Sequence, residues 1–206
     1  MPTVLGAVLS IIMLLVSFNG VQVLMAQMNM SSSSSSMNMS APMDYTATKF
    51  VLYKNSRLGI QVLHPLLWKP IEKNTTRGGQ VVEFIPAVET EHQPLMPFVT
   101  IAIEKMQKKI GDLNSLTKQN LEIAKDITGF RIVNSSNTVL SGAPAHKIIY
   151  TFTSPPTPMP ADFQSMNIWT IINNIVYTIS YSEAKTEYLK HTPAIDKMVN
   201  SFEIVK

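Results

Sequence analysis

Residues 167–182 read NIWTIINNIVYTISYS, two apolar runs rich in Ile, Val, Tyr and Thr that meet at Asn173 and Asn174. β-Branched and aromatic side chains fit a pleated surface. An Asn-Asn junction of two residues suits the positive φ angles of a tight hairpin turn. The stretch therefore predicts an antiparallel hairpin, and the flanking sequence says what joins it. Just upstream lies a proline-dense loop, TSPPTPMPADFQ, in which Pro155, Pro156, Pro158 and Pro160 stiffen the chain toward polyproline II. Such a loop loses little entropy when it docks on a partner, although a plain surface connection between strands accounts for it equally.

Further upstream, FRIVNSS and NTVLSGAPAHKIIYTFT read as strands with a turn over Ser141 to Pro144. KFVLYKN and GIQVLHP read as strands around a turn at Ser56 to Gly59. Ile60, Val62 and His64 share one face of the second strand, Gln61 and Leu63 share the other, and Pro65 ends it. QVVEFIPA and PFVTIAIEKM add two more strands, separated by the polar ETEHQPLM segment. A helix is expected from about Ser115 to Thr128, with Leu116, Ile123, Ala124 and Ile127 as its buried stripe and Gly129 as a left-handed cap. A second closes the chain, with Thr192 as N-cap and Pro193 at its first position, turning Ile195, Met198, Val199 and Phe202 toward the sheet. Several antiparallel strands with one helix in the middle and one at the end define the α+β class, a central antiparallel β-sheet flanked by helices.

The first 43 residues carry no charged side chain. An apolar run from Val4 to Val16 continues, diluted by Ser17, Asn19, Gly20 and Gln22, into MAQMNMSSSSSSMNMSAPM. Residues 1–26 read as a signal peptide or a membrane anchor, because about 20 apolar residues are needed to span a bilayer. Residues 27–48 read as a Met/Ser-rich disordered linker, since six consecutive serines bury no apolar area. The folded part is then 49–206, long enough for one domain that buries roughly 70% of its unfolded surface. This layout places the domain outside the cytoplasm, secreted or held at the outer face of the cell membrane.

The chain has no cysteine, which excludes disulfides, thiolate metal sites and thiol nucleophiles. Its net charge of +3 comes from Lys and Arg scattered among acids, so nucleic acid is not an expected partner. In the linker, Met28, Met30, Met37 and Met39 repeat an M-x-M spacing whose thioethers suit Cu(I); the plainer reading is an uncharged linker. Glu89, Glu91 and His92 are near neighbours able to offer oxygen and nitrogen ligands to a divalent ion, or to form a solvated loop. Four N-x-S/T sequons fall at Asn29, Asn38, Asn74 and Asn134. No residue is assigned a catalytic role: His64, His92, His146 and His191 lack metal-ligand spacing, Ser141-Gly142 lacks the G-x-S-x-G frame, and no Gly-rich phosphate loop is present. His64, on an apolar strand face, is expected to be a hydrogen-bonded core histidine.

Several segments, in order, resemble the PsbP family. They are Gly59-Ile-Gln-Val-Leu-His-Pro65 with Trp68, Gly129-Phe-Arg-Ile-Val133, Leu140-Ser-Gly-Ala-Pro-Ala145, Tyr177-Thr-Ile-Ser-Tyr181 and Lys197-Met-Val-Asn-Ser-Phe202. The resemblance implies an α/β/α sandwich in an extracytoplasmic protein that binds a protein partner or helps assemble a complex, as extrinsic photosystem subunits do. It also implies that Trp68, Tyr177 and Phe202 anchor the core and that Gly59 and Gly142 hold turns. Calcium is associated with the family, although no defined ion site is matched here. The Met/Ser linker departs from the family's processed amino terminus, which fits a non-photosynthetic archaeal or bacterial member. Two functions follow: a non-catalytic exported or surface-anchored binding module, or an exported copper-handling protein that uses the linker methionines.

Overall fold

The computed structural model describes residues 49–75, 78–87, 97–106, 111–154 and 161–205. Among the described residues, ten strands and two helices follow one another. They are β1 (Phe50–Asn55), β2 (Ile60–Pro65), β3 (Trp68–Asn74), β4 (Gln80–Pro86), β5 (Phe98–Lys105), α1 (Leu113–Ala124), β6 (Arg131–Leu140), β7 (Ala143–Thr153), β8 (Asp162–Ile172), β9 (Ile175–Ala184), α2 (Tyr188–Ser201) and β10 (Glu203–Ile204). Seven strands form one antiparallel sheet in the order β3-β4-β5-β9-β8-β7-β6, and β1, β2 and β10 form a second of three.

The β8–β9 hairpin lies near the middle of the large sheet, with Ile172 opposite Ile175 across the turn. Asn173 and Asn174 sit at φ +51° and +63°, as the junction predicted. Asn174 has a second task, because its side-chain amide donates to the Met106 carbonyl at 2.7 Å and ties the end of β5 to the turn. Asn173→Val is expected to lower stability by about 1–2 kcal/mol, since a β-branched residue is strained at positive φ. Asn173→Gly should be nearly neutral. Urea unfolding of the two variants checks this, and equal stability would show that backbone strain at the turn is unimportant.

Side chains alternate across a sheet, so the two faces bury different sets. On one face Val82, Phe84, Val99, Ile101, Met166, Ile168, Tyr177, Ile179 and Tyr181 pack with Ile60 and Val62 of β2 and with Tyr188, Ile195, Met198 and Phe202 of or beside α2. On the other, Ile148, Tyr150, Phe152, Phe163, Trp169 and Val176 pack with Leu116 and Ala124 of α1. The α+β class holds in this form, a mostly antiparallel sheet with two helices, although one outer layer mixes α2 with the small sheet. Trp68, Tyr177 and Phe202 are buried, and Gly59 and Gly142 stand at φ +65° and +77°.

Four local expectations are corrected. Helix α1 begins at Leu113, where the Asp112 side chain accepts from the Ser115 amide at 2.7 Å, and ends at Ala124 rather than Thr128. Its buried positions are Leu116, Asn120 and Ala124, with Ile123 and Ile127 only partly covered. Gly129 does turn the chain at φ +70°, and a Cβ there would lie 2.7 Å from Thr153 Oγ1.

Helix α2 begins one turn before Thr192, leaving Pro193 inside it. The first turn is held by packing instead of by a cap: Tyr188 stacks on Tyr181 at 4.9 Å, and the Thr192 hydroxyl donates to the Tyr188 carbonyl at 2.9 Å. NTVL belongs with RIVNSS in a single ten-residue β6, so the turn contracts to Ser141 and Gly142. Strand β3, containing Pro70, follows Pro65 almost at once. Among the described strands it lies at the sheet edge and pairs with β4 alone, where a residue lacking an N–H is tolerated.

Candidate binding surface and a buried polar lock

Of the residues singled out from sequence, Met28, Met30, Met37, Met39, Asn29, Asn38, Glu89, Glu91 and His92 lie outside the described residues, as do Pro155, Pro156, Pro158 and Pro160 of the proline-dense loop. The ends of that loop are tied, with the Ser154 amide donating to the Ala161 carbonyl at 2.9 Å. Asn74 and Asn134 are exposed, at the end of β3 and on β6. Among the described residues no three His, Asp or Glu side chains are grouped to hold a metal ion, and no helix is long and apolar enough to cross a membrane.

Three histidines stand in polar groups that the fold brings together. His64 is buried on β2, its Nδ1–H donating to the Pro65 carbonyl at 3.0 Å and its ring 5.1 Å from Phe84. Burial lowers its pKa from the usual 6.5. His146 on β7 rests on Trp169, ring centroids 5.4 Å apart. Its Nδ1–H donates to Asn137 Oδ1 at 3.0 Å and its Nε2 accepts from the Ser135 hydroxyl at 2.9 Å. Burial lowers its pKa too. The order Ser, His, Asn has the connectivity of a nucleophile, a base and an orienting group. Yet a neutral amide cannot stabilise an imidazolium as a carboxylate does, and Ser135 and Asn137 stand exposed on an open strand. What Ser135 and Asn137 accomplish is to fix the His146 ring against Trp169.

Because both folded-state pKa values are depressed, the unfolded chain binds more protons just below pH 6.5, so stability must fall as pH drops through that value. Unfolding midpoints are expected to be level from pH 8 to 7 and to decline between about pH 6.5 and 5. The His64→Gln variant should show a shallower decline. An unchanged slope would remove His64 as a source.

The third group is sealed between α2 and the sheet. His191 on α2 donates from Nδ1 to both Glu183 oxygens of β9, at 2.9 and 3.0 Å. The Tyr181 hydroxyl donates to the same carboxylate and lies 2.9 Å from the Tyr188 carbonyl. Burial, and then the neighbouring carboxylate, raise the Tyr181 pKa far above its ordinary value. His191 Nε2 and Trp68 Nε1 are buried without a hydrogen-bond partner, the two rings 6.4 Å apart. These groups join α2, β9 and β3 and are closed to substrate in this form. Sequence reasoning missed them because Tyr181, Glu183 and His191 follow no spacing rule; only the pairing of β9 with the packing of α2 aligns them.

The surface is unusual in where it is apolar. Leu66 and Leu67, in the turn between β2 and β3, are 51% and 48% exposed, and Leu189 on α2 is 77% exposed. The Leu66 amide donates to the Lys49 carbonyl at 2.9 Å, so this turn lies beside the start of β1. Strand β6 exposes Ile132, Val133 and Val139.

The fold has known counterparts. The LpqN protein of Mycobacterium tuberculosis, described as involved in cell envelope biogenesis, matches with a TM-score of 0.55 at 12% identity, over 71% of this chain and 83% of that one. The solution structure of cyanobacterial PsbP from Synechocystis matches at 0.53 and 13% identity, over 82% and 98%. The Ran-binding protein Mog1p of Saccharomyces cerevisiae matches at 0.50 and 12% identity, over 77% and 96%. At such identities the likeness is one of fold. No curated protein sequence matches the chain. The sequence profile of the PsbP-like proteins, in contrast, runs through both outer layers and the whole central sheet, matching residues 4–204, and the chain belongs to that family.

Proposed function

We propose that the chain is a non-catalytic binding or assembly module, extracytoplasmic and presented at the outer face of the cell membrane by residues 1–26 and the linker 27–48. The observation that carries this reading is a division of labour. The groups best suited to chemistry, Tyr181, Glu183 and His191, are buried and consumed in holding α2, while exposed Leu66, Leu67 and Leu189 have no packing role in the core. The layers, taken as an α/β/α sandwich with one mixed outer layer, form a rigid support for such a surface. Family membership supports it as well, and two fold neighbours are described by a protein partner or an envelope role. The occupant is a protein partner at the cell surface.

The test uses the full-length chain with Leu66→Asp and Leu67→Asp together, captured from solubilised host membranes and quantified against the unaltered chain. Both side chains are about half exposed, so the unfolding midpoint should barely change. One or more partners should be lost at least tenfold. A partner set that is unchanged, or empty for both proteins, overturns the reading. The copper alternative rests on the repeated M-x-M spacing at Met28/Met30 and Met37/Met39. Equal Cu(I) affinity with and without residues 27–43 removes it.

A further inference from the structure

The two edges of the seven-stranded sheet are built differently. Strand β3 carries the features that prevent edge pairing: Lys69, Pro70, Glu72 and Lys73 within seven residues, with Glu72 and Lys73 engaged by Arg57 and Glu83. Strand β6 carries one charge, Arg131 at its first position, and no proline. Eight of its ten residues are exposed, and among the described strands it pairs with β7 alone. An edge this long, with Val133 and Val139 59% and 63% exposed, offers main-chain donors and acceptors and apolar surface together.

Its pattern also has a centre. Reading outward from Ser136, the neighbours are polar on both sides, Ser135 and Asn134 against Asn137 and Thr138, and then apolar, Val133 and Ile132 against Val139 and Leu140. An antiparallel pairing of two such strands about a two-fold axis at Ser136 sets Ser136 opposite its own copy. Ser135 then faces Asn137 and Asn134 faces Thr138, each pair occurring twice, with the apolar Val133 and Val139 flanking this polar centre. Faces agree as well: Ser135 and Asn137 both bond His146, so both lie on the α1 face. The register break at Ile132/Asn134 leaves Asn134 to Thr138 regular, and these are the residues at the centre of the pairing. Like surfaces meeting about a two-fold axis is the usual form of a homodimer contact.

We propose that β6 is a homodimer interface, in which two copies join their large sheets edge to edge in the register centred on Ser136. The occupant is a second copy because the strand is self-complementary only in that register, and because the opposite edge is guarded against the same pairing. The absence of native cysteine makes the register measurable. Directly opposed antiparallel residues have Cα atoms about 4.5–5.5 Å apart, inside the span of a disulfide.

The test places single cysteines in the full-length chain, prepared without glycosylation and oxidised in detergent. Ser136→Cys should form a covalent dimer at least tenfold faster than Lys73→Cys on the opposite edge. Asn134→Cys mixed with Thr138→Cys should cross-link far faster than either alone. Val139→Lys should shift the unmodified protein to monomer in sedimentation experiments. Ser136→Cys that cross-links no faster than Lys73→Cys overturns the proposal, as does a Val139→Lys protein with an unchanged dimer fraction. A native protein carrying sugar on Asn134 overturns it too, because the sugar would occupy the interface.

Discussion

Glu183→Ala is expected to destabilise the domain by about 3–5 kcal/mol, the range for removing one member of a buried, hydrogen-bonded polar group. The reason is the number of atoms left behind. Glu183 is 2% exposed and accepts from His191 Nδ1 with both oxygens and from the Tyr181 hydroxyl. Alanine would strand the buried His191 Nδ1 donor of α2 and leave the Tyr181 hydroxyl of β9 only the Tyr188 carbonyl, in a place already containing unpartnered His191 Nε2 and Trp68 Nε1. Glu183→Gln keeps the shape and one acceptor oxygen, so its cost should be nearer 1–2 kcal/mol. His191→Ala should cost less once Glu183 is gone than it does alone, with a coupling of at least about 1 kcal/mol in a double-mutant cycle. Denaturant unfolding of the four proteins measures this. A Glu183→Ala cost below about 1 kcal/mol would mean that α2 is held by apolar packing alone.

How much of the fold can be read from sequence follows the range over which each signal acts. Hairpins were legible because their determinants are adjacent: Asn173 and Asn174 set a turn whatever surrounds it, and Ile60, Val62 and His64 alternate within one strand. Strand β3 was not legible, since Pro70 and its charged neighbours argue against a strand except at an edge, and edge position is a property of the whole sheet. The start of α2 was misplaced for a related reason. Thr192-Pro193 is a strong local start signal, but Tyr188 and His191 gain more by packing on Tyr181 and Glu183 as a helical turn. The α+β class and core anchors such as Trp68 and Phe202 came through because apolar periodicity survives such local errors. The polar lock did not, because its members are dispersed in sequence and meet only through tertiary packing.

Trp169→Ala is expected to cost about 3–5 kcal/mol, the range for deleting a buried aromatic side chain from a core. Trp169 is 1% exposed on β8 and serves three elements at once. Its indole N–H donates to Thr117 Oγ1 of α1 at 3.1 Å, its ring supports His146 on β7, and it stands opposite Thr178 of β9. Domains of this size are stable by about 5–15 kcal/mol, so the loss is a large share of the whole. It should fall unevenly, with hydrogen exchange at α1 amides rising more than at α2 amides, because Trp169 packs with α1 while α2 rests on the other face. That separation yields a sharper form of the prediction. Residues on opposite faces with no shared partner should have additive effects, so Trp169→Phe combined with Glu183→Gln should sum to within about 0.5 kcal/mol. A larger deviation would show that the strands transmit changes between the two cores, and uniform loss of protection in both helices would show that the domain opens as one unit.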